Sequence, residues 1–137
     1  MRKKYALYIG RWQNWHKGHE WLMNQQLKEG KNVWVAIRDV QVDENNPKSA
    51  KEVLSQLQNE PFFTQNWDKV LLSIIPDIES VNYGRGVGYD VIYHEPPTEI
   101  AKISGTQIRN GYIDSNGDLI EYPNIKNNDS TEEETLS

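Results

Sequence analysis

The chain has 137 residues, no cysteine and a formal net charge of −5. This length suits one domain with its own core, and the lack of cysteine excludes disulfides and thiolate metal sites. Residues 127–137 hold four acids and no base, so the rest of the chain is nearly neutral, which argues against general binding along nucleic acid. Since no apolar run is long enough for a membrane span or a signal peptide, we expect a cytoplasmic protein without a membrane partner.

The first part of the chain alternates apolar runs with a helical pattern. Residues 4–9 read as a buried first strand. The spacing of apolar residues predicts a helix over 17–29, which Gly30 would end as a left-handed cap. Residues 32–37 are rich in β-branched and aromatic side chains and predict a second strand. The polar, turn-rich stretch 38–47 predicts a loop.

The same alternation continues after the loop. A second helix is predicted over 49–59, followed by a connection with aromatic anchors at 61–67. Residues 69–75 predict a third strand, and the glycine-rich sequence at 84–88 predicts a turn. The run "DVIYHE" at 90–95 predicts a fourth strand.

The C-terminal part carries a helix signal and a hairpin signal. Residues 103–111 predict a short capped helix, and an Asn-Gly pair between two β-prone runs predicts a tight hairpin over 112–122. A calcium loop is the alternative there, but Leu119 stands where such a loop needs a glycine. We therefore divide the chain into a domain over 1–124 and an acidic tail over 125–137 that we expect to be disordered.

Strands that alternate with helices imply a parallel sheet with right-handed crossovers. The predicted fold class is therefore α/β, a Rossmann-like parallel sheet flanked by helices, with a small C-terminal β-hairpin. Ligands of such sheets bind at the carboxyl ends of the strands. The first strand ends at "GRWQNWHKGH", residues 10–19, so these residues are predicted to lie at a site.

The stretch 10–19 combines donors for an anion with room for a ligand. Gly10 lets a ligand approach the backbone closely. His16 and His19 lie three residues apart at a helix start, which attracts anions by its free N–H groups and its dipole. Lys17 and Arg11 add positive charge. The pattern favours phosphate chemistry, while a metal pair or an ordinary helix start remain alternatives.

A second sequence, "ISGTQIR" at 103–109, also marks a helix start. Its hydroxyls and its arginine could hold an anion together with the first motif, because both helices would begin at the same edge of a parallel sheet. An ordinary capping box, with Ser104 as cap and Gln107 three residues later, is the alternative. That alternative does not explain Gly105 or Arg109.

Together the two motifs resemble a known superfamily. "GRWQNWHKGH" is similar to the G-R-F-Q-P-x-H-x-G-H signature of the nucleotidyltransferases with the H-x-G-H motif, and "ISGTQIR" is similar to their second signature, I-S-S/G-T-x-I-R. The two motifs are most similar to those of nicotinamide-mononucleotide adenylyltransferases of archaeal and phage type. The resemblance covers residues 4–112, and the chain departs from it at Trp12 and Asn14, where phenylalanine and proline are usual.

The resemblance implies a set of roles for the motif residues. The residues expected to act in catalysis are His16, His19, Lys17 and Arg109. The residues expected to bind the nucleotide are Gly10, Arg11, Trp12, Gly18, Ser104, Gly105 and Thr106. Magnesium would be held by the phosphates, with no ligand from the protein. Members of this superfamily are often dimers or larger, so a homo-oligomer is a further expectation.

The acceptor would be a small phosphorylated molecule. Trp15, Arg38, Asp39 and Arg85 are its candidate ligands; the alternatives are core packing for the tryptophan, a loop salt bridge for the pair, and a plain glycine turn around Arg85. The expected reaction transfers a nucleoside monophosphate, with ATP favoured, to an acceptor such as nicotinamide mononucleotide and releases pyrophosphate. A cytidylyltransferase acting on an alcohol phosphate, or a nucleotide-binding module without turnover, are the alternatives.

Overall fold

A computed structural model describes residues 2–103 of the chain. Within this range, three strands and four helices follow one another as β1 (Tyr5–Gly10), α1 (Lys17–Leu27), β2 (Asn32–Asp39), α2 (Ala50–Gln58), α3 (Pro61–Gln65), β3 (Val70–Pro76) and α4 (Thr98–Ala101). The predicted hairpin over 112–122 and the tail over 125–137 lie outside the described residues.

The strands form a parallel sheet in the order β1-β2-β3. In its register, Tyr5 lies beside Asn32, and Val33 beside Val70. Each pair of neighbouring strands is joined through a helical crossover, as a parallel pair requires. The α/β class predicted from the sequence is confirmed in this form, a small parallel sheet with flanking helices.

One face of the sheet forms the core with the helices. Val33, Val35 and Ile37 of β2 point to that face and are fully buried. The helical and loop side chains packed there are Trp12, Trp15, Met23, Ala50, Val53, Leu57, Phe62 and Phe63. Burial of an aliphatic side chain of this size contributes about 1.5–3 kcal/mol. This cluster fixes α1 and α2 against the sheet, and so fixes where both helices begin.

Local signals determine where the helices begin and end. Ser49 caps α2 through a capping box, since its hydroxyl accepts from the Glu52 N–H while the Glu52 carboxylate accepts from the Ser49 N–H. Gly30, at φ +81°, follows α1. Its N–H donates to the Leu27 carbonyl, and the next N–H donates to the Gln26 carbonyl, as in a Schellman motif. The predicted left-handed glycine is confirmed.

The strand predicted in the later part of the chain is wrong. Residues 90–95 form no strand, and Val91, Ile92 and Tyr93 are exposed. A β-branched run becomes a strand only where a neighbouring strand and a packed face receive it, and two prolines directly after this run remove the N–H groups that would extend a ladder. The aromatic anchors predicted for the connection 61–67 are confirmed, since the short helix α3 within it buries Phe62 and Phe63.

Candidate functional site

The site is built where β1 ends and α1 begins. After Gly10 the chain turns through residues 11–15, and His16 caps α1 with an extended backbone at φ −148° and ψ 176°. α1 starts at the carboxyl edge of the parallel sheet, because it returns the chain antiparallel to the strands. The predicted placement of the first motif at this edge is therefore what the structure has.

Two histidines cap α1 in a reciprocal arrangement. The Gly18 N–H donates to Nδ1 of His16 at 3.1 Å, and the His16 N–H donates to Nδ1 of His19 at 3.3 Å. The two imidazole rings stack with centroids 3.7 Å apart. This is the capping-box pattern with imidazoles in place of the usual hydroxyl and carboxylate. Both side chains are therefore fixed by the backbone of the helix start.

These hydrogen bonds determine the tautomer of both rings. A neutral imidazole has one accepting and one donating nitrogen, so an Nδ1 that accepts leaves the proton on Nε2. The Nε2 atom of His16 is buried and has no hydrogen-bond partner among the described residues. An unpartnered buried donor is costly, at about 1–3 kcal/mol. It is the feature that a bound acceptor oxygen would satisfy.

Burial also keeps the His16 ring uncharged. Desolvation, and then the charge of the neighbouring His19, lower the pKa of His16 from 6.5 to about 3. The residue is only 1% exposed. At neutral pH the ring is therefore a neutral donor through Nε2, and not a cation.

The lowered pKa of His16 predicts acid-sensitive folding. In the unfolded chain this histidine takes up a proton near pH 6.5, whereas in the folded chain it does so only near pH 3. The free energy of unfolding should thus be fully retained above pH 6.5 and fall as the pH drops, by about 2–3 kcal/mol between pH 7 and pH 4.5. Urea unfolding at these two pH values measures the loss.

The matched variant for this measurement is His16→Asn, which keeps a capping acceptor but cannot titrate. We expect it to lose about 2–3 kcal/mol less between the two pH values than the parent chain. The pKa of Glu60 is raised by burial, then by the charge of Glu20, but this group is present in both proteins and cancels in the comparison. An equal loss of unfolding free energy in both proteins would contradict the assignment of the pH dependence to His16.

Two glycines of the motif make room for aromatic rings. A Cβ atom at Gly18 would lie 2.9 Å from Cε1 of His16, and one at Gly10 would lie 2.8 Å from Cε2 of Trp12. Gly18 therefore lets the His16 ring fold over the first turn of α1. The indole of Trp12 occupies the space that a Cβ atom at Gly10 would need, which explains a glycine there; the approach of a ligand to Gly10 stays a prediction.

Both tryptophans of the motif are buried in the core. Trp12 has φ +49° and donates its indole N–H to the Ala36 carbonyl at 2.9 Å. Trp15 donates to the Glu20 carboxylate at 2.9 Å and packs against His19 and Phe63. Trp15 therefore packs in the core, which is the alternative to its role as an acceptor ligand. Little of its ring is left for an acceptor.

The cationic candidates differ in the partners they hold. Lys17 pairs with Glu20 at 3.2 Å, and the Arg38 guanidinium pairs with Asp77 at 2.9 Å. Arg11 instead donates to the neutral amide of Asn46 at 3.1 Å. Within residues 2–103 it has no carboxylate partner. Among the described residues, no carboxylate therefore balances the positive charge of Arg11, which lies close to the two histidines in the sequence.

The remaining acceptor candidates are not brought to the histidines by any described contact. Asp39 ends β2, exposed and in register with Pro76. Arg85 is exposed in the glycine turn, where Gly86 and Gly88 have positive φ. Along the described part of the chain, Arg85 makes no ion pair. Nothing in these contacts favours a ligand at either residue.

Sequence reasoning missed two residues of this edge, Gln13 and Lys48. The Gln13 side chain is buried and pairs with the backbone of Lys48. Lys48 directly precedes the N-cap of α2, and its ammonium is held by neutral oxygens. In the sequence, only the position of Gln13 inside the first motif points to it. A pattern of residue types does not show which loop packs against the turn that contains Gln13.

The second motif lies at the limit of the described residues. Ser104, Gly105, Thr106 and Arg109 lie outside them, so their predicted roles stay predictions. The chain that leads to them is described: α4 packs against α1, and the Ile100 carbonyl oxygen is 3.8 Å from the Cβ position at Gly18. Ile103 is buried. The sequence before the second motif is thus seated beside the first.

The described residues also bear on metals, membranes and relatives. Residues 2–103 contain no cluster of three acids or histidines that could hold a metal ion. None of their helices has the length and apolar character to cross a membrane.

Comparison with protein-family models, with curated proteins and with solved structures gives no match. The functional argument therefore rests on the geometry of the site and on the two motifs.

Proposed function

We propose that this protein is a nucleotidyltransferase. It would transfer a nucleoside monophosphate, with ATP as the favoured donor, to a small phosphorylated acceptor of the nicotinamide-mononucleotide type, with release of pyrophosphate. The observation that carries this proposal is the buried, unpartnered Nε2–H of His16 at the start of α1. Such a donor fits a phosphate oxygen.

The arrangement of donors supports reaction by charge stabilisation. Both imidazoles are fixed through Nδ1 by the helix backbone, so the Nε2–H group of His16 needs no reorganisation when a substrate binds. Preorganised donors that meet developing charge are the largest single contribution in many enzymes. The dipole of α1 adds to the same field at the start of the helix. A ring that donates through Nε2 does not serve as a base there.

The reaction balances without a covalent enzyme intermediate. An acceptor phosphate oxygen attacks the α-phosphorus, the bond from that phosphorus to the bridging oxygen breaks, and pyrophosphate leaves in line. His16 and His19 would donate to oxygens of the triphosphate, and Arg11 would add positive charge. Magnesium bound to the phosphates would supply charge neutralisation. Ser104, Thr106 and Arg109 would hold the β- and γ-phosphates, as the resemblance implies.

Pyrophosphate release is the direct test of this proposal. The purified chain is assayed with magnesium and either ATP or CTP, each against nicotinamide mononucleotide, glycerol 3-phosphate and phosphocholine. We expect release with ATP and nicotinamide mononucleotide, and a far lower rate from His16→Asn prepared in the same way. Release only with CTP and an alcohol phosphate would replace the substrate assignment and keep the reaction type. Tight nucleotide binding without release from any pair would support a binding module instead.

A further inference from the structure

A latch of hydrogen bonds joins the turn before α1 to the loop before α2. The Gln13 amide group donates to the Lys48 carbonyl at 2.9 Å and accepts from the Lys48 N–H at 2.9 Å. The Lys48 ammonium closes the latch by donating to the Gln13 carbonyl at 2.8 Å and to Oε1 of Gln56 at 3.0 Å. Gln13 is 9% exposed; its three bonds to Lys48 are part-buried, whereas the bond from Lys48 to Gln56 is exposed.

The latch connects two helix starts at one edge of the sheet. Gln13 lies three residues before His16, the N-cap of α1, and Lys48 lies one residue before Ser49, the N-cap of α2. Both helices pack on the same face. A shift of the turn against the α2 loop would therefore move the histidine cap relative to the rest of the edge.

The turn itself needs such an anchor. Trp12, the residue before Gln13, has φ +49°, a left-handed conformation that a bulky side chain adopts only where its surroundings impose it. The indole bond to the Ala36 carbonyl holds one side of the turn to β2. The Gln13 latch holds the other side to the α2 loop.

We propose that Gln13 is a positioning residue, which places the imidazoles of His16 and His19 by fixing the turn between β1 and α1 against the loop before α2. It has no hydrogen bond to either imidazole and acts through the backbone between residues 13 and 16. The effect on turnover rests on the proposed function. The effect on the histidine rings does not, and can be measured without any substrate.

The test compares three glutamine variants of the full chain. Gln13→Met keeps the length of the side chain and removes both amide bonds of the latch. Gln56→Met removes one acceptor of the Lys48 ammonium and leaves the amide pair intact. Gln25→Met is the matched control, because Gln25 also bonds a backbone carbonyl, that of Trp21 at 2.9 Å, but within α1 and away from the turn.

The first measurement is the titration of the His16 ring by NMR, read from the ring nitrogens and from Cε1. In the parent chain, in Gln56→Met and in Gln25→Met, we expect a ring protonated on Nε2 that resists protonation down to strongly acidic pH. In Gln13→Met we expect the ring to take up a proton at clearly higher pH, because the loosened turn admits water to it. A purely structural glutamine would lower stability and leave this titration unchanged.

The second measurement is steady-state turnover. We expect Gln13→Met to lower kcat by about 100-fold, as misplacement of a catalytic group by about 1 Å does, with a smaller change in KM, and Gln25→Met to match the parent. If Gln13→Met fails to fold, Gln13→Glu replaces it; this variant still accepts from the Lys48 N–H, and we expect the same changes at smaller amplitude.

The outcomes separate this inference from the proposed function. An unchanged His16 titration in a folded Gln13 variant overturns the inference, whether or not any substrate pair reacts. An altered titration with parental kcat supports the placement of the rings by Gln13 and overturns its expected effect on turnover. If no pair of substrates reacts but the titration changes in Gln13→Met alone, the placement of the rings by Gln13 is established and the proposed reaction is what fails.

Discussion

We expect His16→Asn to lower kcat for pyrophosphate release by about 10²- to 10³-fold, the usual cost of removing one preorganised donor from developing charge. The Oδ1 atom of asparagine can accept from the Gly18 N–H as Nδ1 of His16 does, and asparagine is among the best N-cap residues. The variant therefore keeps the cap and removes the donor at Nε2 together with the ring that stacks on His19.

A second substitution at the same position supplies the control. His16→Ala removes the cap as well as the donor, so we expect the same loss of kcat together with a further loss of about 0.5–2 kcal/mol in the free energy of unfolding. Steady-state kinetics and urea unfolding on both variants separate the two roles of the ring. A His16→Asn protein that keeps more than a tenth of the parental kcat would contradict the assignment of His16 to the reacting phosphates.

The elements that could be predicted from the sequence are those whose signals are local. β1, β2 and β3 are apolar runs bounded by turn residues, and a glycine placed after the periodic stretch marks the end of α1. The burial predicted for the first strand is wrong, because β1 leaves Tyr5 and Leu7 exposed, whereas β2 is largely buried. The run at 90–95 also contains β-branched and aromatic residues, but its pairing depends on a distant partner. Composition alone does not show whether an edge will receive a strand, and in the structure none receives it.

In the candidate site, too, the features with local sequence signals could be predicted and those that depend on distant residues could not. The place of His16 and His19 follows from the end of a strand and the start of a helix, which are local features, and the structure confirms that place. The tautomer of the rings needed the actual hydrogen bonds to their Nδ1 atoms. The latch between Gln13 and Lys48 joins residues far apart in the chain, and no periodicity reports which loops lie side by side.

The two tryptophans Trp15 and Trp67 have opposite surroundings, which gives a second prediction of large effect. Trp15 is buried at 9% exposure against Phe62, Phe63 and His19, whereas Trp67 is 77% exposed. Trp15→Ala should lower the free energy of unfolding by about 3–5 kcal/mol, since it removes a large core ring and leaves a cavity. Trp67→Ala should change it by less than about 0.5 kcal/mol.

A further substitution distinguishes the two roles considered for Trp15. Loss of an acceptor ligand changes the KM for the acceptor, whereas loss of a core residue changes the free energy of unfolding. Trp15→Phe retains most of the ring volume, loses the indole N–H bond to the Glu20 carboxylate, and should lower the free energy of unfolding by about 1–3 kcal/mol. A core role predicts that this variant keeps the parental KM for the acceptor at temperatures where it is folded. A raised acceptor KM with parental stability would instead place the indole in the acceptor site. Since His19 packs against the same ring, a fall in kcat alone would report displacement of the histidine rather than loss of a ligand contact.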